Sequence, residues 1–328
     1  MKTSRTPRLA LALSLAAALF TSLYASTQAP APATPMFRAG VALVPITAMV
    51  RDSRNRIVRN LERDDFQVLE QGEPRPIVDF GAREDAPVSV AFLFDTSGSM
   101  RIASNLEKGK AVVEHFSEQI DPAVDEVALF TFDRALRQQV GFTNDRVRIR
   151  GALNLVSPWG LTSLYDAIAE TARQLGDRPS PRRAVVVITD GVDTSSALTS
   201  AEVSGLASAI DVPVYVVAVI SPLDHPDRTQ DGRADGADGN LSDLAFWTGG
   251  DLLYVSASEQ ALVMTAQLLA GMRQQYFLAI ESSIAPGWYG LEVRTKRQGL
   301  TVRARSGYFS TTLARIGELE SAARQRRH

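Results

Sequence analysis

Two runs of the chain are apolar nearly throughout and each stops on an aspartate: "VSVAFLFD" from Val88 to Asp95, and "AVVVITD" from Ala184 to Asp190. A strand that alternates apolar and polar residues buries one face. One that is apolar at every position buries both, as a parallel sheet with helices on its two sides requires. In open sheets of that kind, ligands bind outside the C-terminal strand ends, near the point where strand order reverses. A carboxylate at such an end is therefore a candidate ligand-binding group. After the first run, "DTSGSM" places Ser97 and Ser99 at alternate positions, and in "WGLTSLYDAI" Thr162 falls just before a predicted helix.

The rest of the region from Pro87 to Gln275 fits that sheet. "DEVALFTFD", "VPVYVVAV" and "DLLYVSAS" read as further strands. Between the strands lie helical patterns such as "SNLEKGKAVVEHFSEQI", "SLYDAIAETARQLG" and "EQALVMTAQLLAGMRQQ". Thr199 with Glu202 three residues later is a capping-box start for another helix. The alternation predicts a doubly wound, mostly parallel α/β sheet. Asp95, Ser97, Ser99, Thr162 and Asp190 then offer two carboxylates and three hydroxyls at one edge. Such an oxygen-only set suits a small hard divalent cation, Mg²⁺ first, with Mn²⁺ and Ca²⁺ as the other candidates.

"DTSGSM" resembles the DxSxS motif of von Willebrand factor type A (VWA) domains, the Rossmann-like fold of integrin I domains. In that family the motif opens the metal-ion-dependent adhesion site. The resemblance implies Asp95, Ser97 and Ser99 as ligands from the first loop, Thr162 from the second and Asp190 from the third. It also implies that the ion takes a carboxylate from an outside partner, an Asp or Glu side chain of a protein, and that the last helix of the domain shifts when it does. The flanks, "NLERDDFQVLEQGEPRPIVDF" and "GLTVRARSGYF", resemble segments of the VWFA-related proteins abundant in acidobacteria.

Those flanks have a β texture. "VALVPITAMVRD", "DFQVLEQ" and "RPIVDFG" read as strands before the α/β region, and "YFLAIESS", "YGLEVRTK" and "LTVRARSGYF" as strands after it. Three short strands bury too little alone, so the two sets are expected to form one discontinuous β-sandwich with the α/β domain inserted. The boundaries read as a signal peptide over 1–29, a Pro/Ala-rich linker over 30–40, sandwich over 41–86 and 276–310, the VWA domain over 87–275 and a basic tail over 311–328. Lys2, Arg5 and Arg8 before the apolar run starting at Leu9 make the N-terminus a secretory signal, which predicts export to a bacterial periplasm, envelope or exterior. Membrane attachment follows only if that segment is retained.

Composition excludes several classes. A formal charge of −2 gives no electrostatic basis for nucleic-acid binding, and the absence of cysteine rules out disulfides and zinc–thiolate sites. None of the three histidines, His115, His225 and His328, has metal-ligand spacing. The expected function is a non-enzymatic, metal-dependent protein-binding module. The alternatives are a metal-assisted hydrolase, which would lack a general acid/base here, and a structural envelope protein whose ion only stiffens the fold. Asp166 reads as a loop-bridging residue, Asp193 as a turn or cap, Gly98 and Gly191 as conformational glycines, and the acidic stretch 224–240 as a solvated loop.

Overall fold

A computed structural model describes residues 43–82, 86–180, 182–190, 193–209, 211–219, 237–283 and 285–310. The expected signal peptide, linker and basic tail, Gly191, and residues 224–236 of the acidic stretch lie outside them. The central sheet has the order β10-β9-β8-β5-β6-β7. Its strands are β5 (Val88–Asp95), β6 (Glu126–Phe132), β7 (Leu136–Thr143), β8 (Arg182–Thr189), β9 (Val214–Val219) and β10 (Leu252–Val255). All pairings are parallel except that of β7, which runs antiparallel to β6 at the edge. The chain leaves β5 for β6 on one side and returns to β8 on the other, so the order reverses between β5 and β8.

The apolar runs behave as their composition requires. All eight residues of β5 are buried, and successive side chains go to opposite faces. Val88, Val90, Phe92 and Phe94 pack with residues of α1 (Asn105–Gln119), α2 (Arg146–Asn154) and α6 (Ser258–Arg273). Ala91 and Leu93 pack with residues of α3 (Leu164–Gly176), α4 (Ser200–Ala209) and α5 (Ala237–Thr248). The α4 start carries the predicted capping box: Thr199 N–H donates to Glu202 Oε2 at 2.8 Å and Glu202 N–H to Thr199 Oγ1 at 3.3 Å. Among the described residues no helix is long and apolar enough to cross a membrane.

Strands from both ends of the chain build two further antiparallel sheets. Before the central sheet come β1 (Leu43–Asp52), β2 (Phe66–Glu70), β3 (Glu73–Arg75) and β4 (Asp79–Ala82); after it come β11 (Tyr276–Glu281), β12 (Gly287–Thr295), β13 (Leu300–Ala304) and β14 (Gly307–Ser310). They order as β13-β1-β11-β4 and β14-β12-β2-β3. Ile46, Val50 and Leu278 of the first sheet share a core with Phe66, Val68 and Val293 of the second. The result is a VWA-like α/β fold carrying a β-sandwich made from both flanks.

Four expectations need correction. "RPIVDFG" is not one strand: Arg75 pairs with Val68 in one sheet and Phe80 with Leu278 in the other. Pro74 and Pro76 have no N–H to donate, which confines the first piece to an edge and lets the chain cross. "LTVRARSGYF" also divides, because Arg305 turns inward between β13 and β14. Its guanidinium donates to Ser208 O of α4 at 2.6 Å and to Pro45 O of β1, with Asp211 Oδ1 3.5 Å from Nε. Strand β7 had no counterpart in the sequence reading. Finally, the end of the acidic stretch is not loop, since Asp238 and Asn240 belong to α5.

One close contact sets the helix layer over the strand ends. A Cβ on Gly109 of α1 would stand 2.9 Å from both Ile188 Cγ2 and Phe94 Cζ, the side chains just before the β8 and β5 ends. Gly109→Val is expected to lower unfolding free energy by about 2 kcal/mol through overpacking, read by urea denaturation. Gly151→Val, where an added Cβ meets nothing within 4 Å, is the control and should be neutral or slightly stabilising, since valine has the higher helix propensity.

Candidate metal site

Asp95 ends β5 fully buried, and its two oxygens are held separately. Oδ1 accepts from Ser97 N–H at 2.7 Å, a tight local turn, and Oδ2 accepts from Thr189 Oγ1 at 2.6 Å across the sheet. The chain then enters a 3₁₀ turn, Gly98–Ser104, which brings the Ser97 and Ser99 hydroxyls to 3.0 Å from one another. Gly98 does not serve this turn through a left-handed φ. A Cβ there would meet only Gly160 O, at an ordinary 3.7 Å; what the turn uses is its N–H, which donates to that same oxygen at 3.2 Å.

The second loop is fastened to its neighbours through backbone groups. Trp159 N–H donates to Thr96 O at 2.6 Å, tying it to the first loop. Thr162 N–H donates to Thr194 Oγ1 at 2.9 Å, and Thr162 O accepts from the N–H groups of Thr194 and Ser195 at 2.9 and 3.0 Å, tying it to the third. Asp193 and Asp166 complete this joint. Asp193 Oδ1 accepts from Leu164 N–H at the start of α3, at 2.8 Å, and the Asp166 carboxylate accepts from the N–H groups of Ala197 and Leu198, 2.9 Å each. Both therefore play the capping and loop-bridging parts expected of them.

Four of the five candidate side chains form one connected set. Ser97 N–H donates to Asp95 and the Ser97 and Ser99 hydroxyls meet one another, while Asp190 lies near enough for its charge to bear on Asp95 and for Ser99 to bear on it. Thr162 is buried and placed by its loop, but among the described residues no hydrogen bond joins its side chain to the other four. Burial pushes the Asp95 carboxyl up to about 6, against the pull of its Thr189 and Ser97 hydrogen bonds and with Asp190 adding to the rise. Burial raises Asp190 as well, partly offset by Ser99. Asp190 Oδ1 is buried without a hydrogen-bond partner. No Lys, Arg or His pairs with either carboxylate among the described residues.

A buried carboxylate pair with an orphaned oxygen, no cationic partner and three hydroxyls nearby fits a hard divalent cation. Among the described residues no group of three or more His, Cys, Asp or Glu side chains could hold a metal. The sequence reading missed Thr189, the donor to Asp95, although it is the one polar residue within "AVVVIT". It also missed the rim. Trp159 is 74% exposed beside the site, with the Arg101 guanidinium 5.3 Å from its ring centre, and Ile102 and Leu161 are exposed nearby.

Residues 90–192 match the family model described as von Willebrand factor type A domain. They span β5 through β8 and thus all five candidate residues. Among solved structures, the chain is similar to the conserved hypothetical protein BatB from Bacteroides thetaiotaomicron, with 22% identity, 56% of this chain and 97% of that one covered, and a TM-score of 0.45. It is similar to the von Willebrand factor type A protein from Catenulispora acidiphila at 11% identity, with 74% and 75% covered and a TM-score of 0.46. A third is proximal thread matrix protein 1 from the mussel byssus with zinc occupied MIDAS motif, at 18% identity, 62% and 49% covered and a TM-score of 0.46. Similarity at this level carries no argument about function. No curated protein matches the chain.

The raised Asp95 has a consequence for stability. Its folded value, about 6, exceeds the ordinary 3.8, so the folded metal-free protein holds a proton that the unfolded chain has released. The associated stability is fully present below pH 3.8 and is lost as pH rises through 6. Metal-free wild type compared with Asp95→Asn should therefore lose about 2.4 kcal/mol of relative stability between pH 4 and pH 7 in urea titrations. Saturating Mg²⁺ at pH 7 should restore stability to the wild type alone.

Proposed function

We propose that the chain is an exported, metal-dependent protein-binding module of the adhesion type, without catalytic activity. The observation that carries this reading is the desolvated Asp95–Asp190 pair, with its orphaned Asp190 Oδ1 and adjoining Ser97 and Ser99 hydroxyls. Asp95, Ser97, Ser99, Thr162 and Asp190 would hold the cation, Mg²⁺ before Mn²⁺ or Ca²⁺, directly or through water. When bound, the ion supplies an electrophilic point for an Asp or Glu carboxylate of the partner. The VWA match over 90–192 supports the same reading. The exposed Trp159, Ile102 and Leu161 give the partner an apolar surface around that point, where aromatic anchors contribute disproportionately to binding.

In this reading the sandwich, residues 41–86 with 276–310, presents a VWA domain over 87–275, in a protein of the VWFA-related type found in acidobacteria. The last VWA helix, α6, passes into β11 within two residues, so a shift in that helix on ligand capture would be felt by the sandwich.

Calorimetric titration of Mg²⁺, Mn²⁺ and Ca²⁺ into metal-stripped protein should show one saturable site that Asp95→Ala abolishes while the protein remains folded. A pool of carboxylate-bearing peptides should be retained by immobilised protein only with metal present. Trp159→Ala should weaken that retention about tenfold while leaving metal affinity unchanged. Metal binding with no metal-dependent retention would favour a purely stabilising ion, and folded protein without metal binding would remove the proposal.

A further inference from the structure

Beside the N-terminal ends of β9 and β10, a cavity of about 490 Å³ lies between the β1 hairpin of the sandwich and the C-terminal half of α6. Four guanidinium side chains line it, Arg51, Arg54, Arg56 and Arg59, against a single lining carboxylate, Asp251. Two of the cations are matched: Arg51 pairs with Asp251 at 2.8 Å and Arg56 with Asp52 at 2.7 Å. The other two are not. Arg59 meets only the neutral Gln274 Oε1, at 2.8 Å, and the Arg54 side chain meets no carboxylate among the described residues.

The hairpin fixes the backbone that carries Arg54 and Arg56. Asp52 Oδ1 accepts from the backbone N–H groups of Arg54 and Arg56, 2.9 Å each, and Asn55 between them takes the left-handed φ of 61° that closes the turn. A second feature of the cavity wall is independent of these charges. Tyr215 is only 1% exposed, and its hydroxyl finds no hydrogen-bond partner, although Gln275 and the Arg51–Asp251 pair lie close by. Arg51 Nε is also buried and unpartnered. Buried donors are nearly always satisfied by protein, water or a bound molecule.

We propose that this cavity binds a small organic oxyanion, with Arg54 and Arg59 taking its oxygens and its apolar body against Ile57, Leu253 and Leu268. The guanidinium fork matches the paired oxygens of a carboxylate or a phosphate monoester. The cavity falls in the size range of small-molecule sites, and its wall is partly apolar, which favours an anion with a carbon body over a bare inorganic ion. The site is separate from the candidate metal site and owes nothing to it.

The test is calorimetric titration of metal-free full-length protein with phenyl phosphate, benzoate, inorganic phosphate and phenol. Phenyl phosphate or benzoate is expected to saturate one site at least tenfold more tightly than inorganic phosphate or phenol, and whichever binds identifies the oxyanion. The Arg54→Ala, Arg59→Ala double variant, both exposed side chains, should lose about tenfold in that affinity with an unchanged unfolding transition. Tyr215→Phe should weaken it by a smaller factor, and Asp95→Ala should leave it unaltered. Failure of both aryl anions to saturate at millimolar concentration would overturn the proposal. Equal affinity in the double variant, or loss of binding in Asp95→Ala, would overturn it too.

Discussion

Strand β5 pairs with β6 on one side and β8 on the other, and none of its eight side chains reaches solvent. A strand so placed needs helices over both faces, and the two helical layers follow from it. It also cannot turn its last residue toward bulk water. Asp95 leaves the sheet still desolvated, with Thr189 of the neighbouring strand as a donor. The packing that stabilises the α/β core thus produces, at its polar end, a carboxylate that resists ionisation. The candidate site is the unsatisfied margin of the core, rather than a separate construction on its surface.

The three loops at that margin are joined mainly by backbone groups. Thr96 O and Gly160 O link the first and second loops, and Thr162 O and Thr194 Oγ1 link the second and third. The links between the first and second loops are independent of side-chain identity, so they can hold candidate ligands in register while exposed positions such as Trp159 and Leu161 vary. Asp193 and Asp166 reinforce the joint between α3 and the third loop without entering the site.

Much of this was legible in the sequence. Runs apolar nearly throughout identified β5 and β8, the terminal aspartates marked the edge where the candidate site lies, and Thr199 with Glu202 marked the α4 start. Other features left weaker traces. Strand β7, "LRQQVGFT", is an exposed edge whose pairing is irregular, so it carries little alternation. The splits at Pro76 and at Arg305 depend on contacts with distant segments, such as Arg305 with Ser208 and Pro45. Thr189 was readable as the single polar residue in an apolar strand. The Thr162–Thr194 link was not, because a contact between loops thirty-two residues apart has no local sequence signature.

The position of β1 sets an order on assembly. Its two neighbours in the sheet are β11 and β13, and both lie more than two hundred residues further along the chain. During synthesis β1 therefore emerges with both edges unpaired and stays so while the whole α/β sheet, whose contacts are nearer in sequence, is made and can close on itself. Arg305, between β13 and β14, reaches back to Pro45, so the turn between those strands closes a circuit that β1 opened. A chain lacking β11 and β13 would leave both edges of β1 unpaired, and such edges favour aggregation.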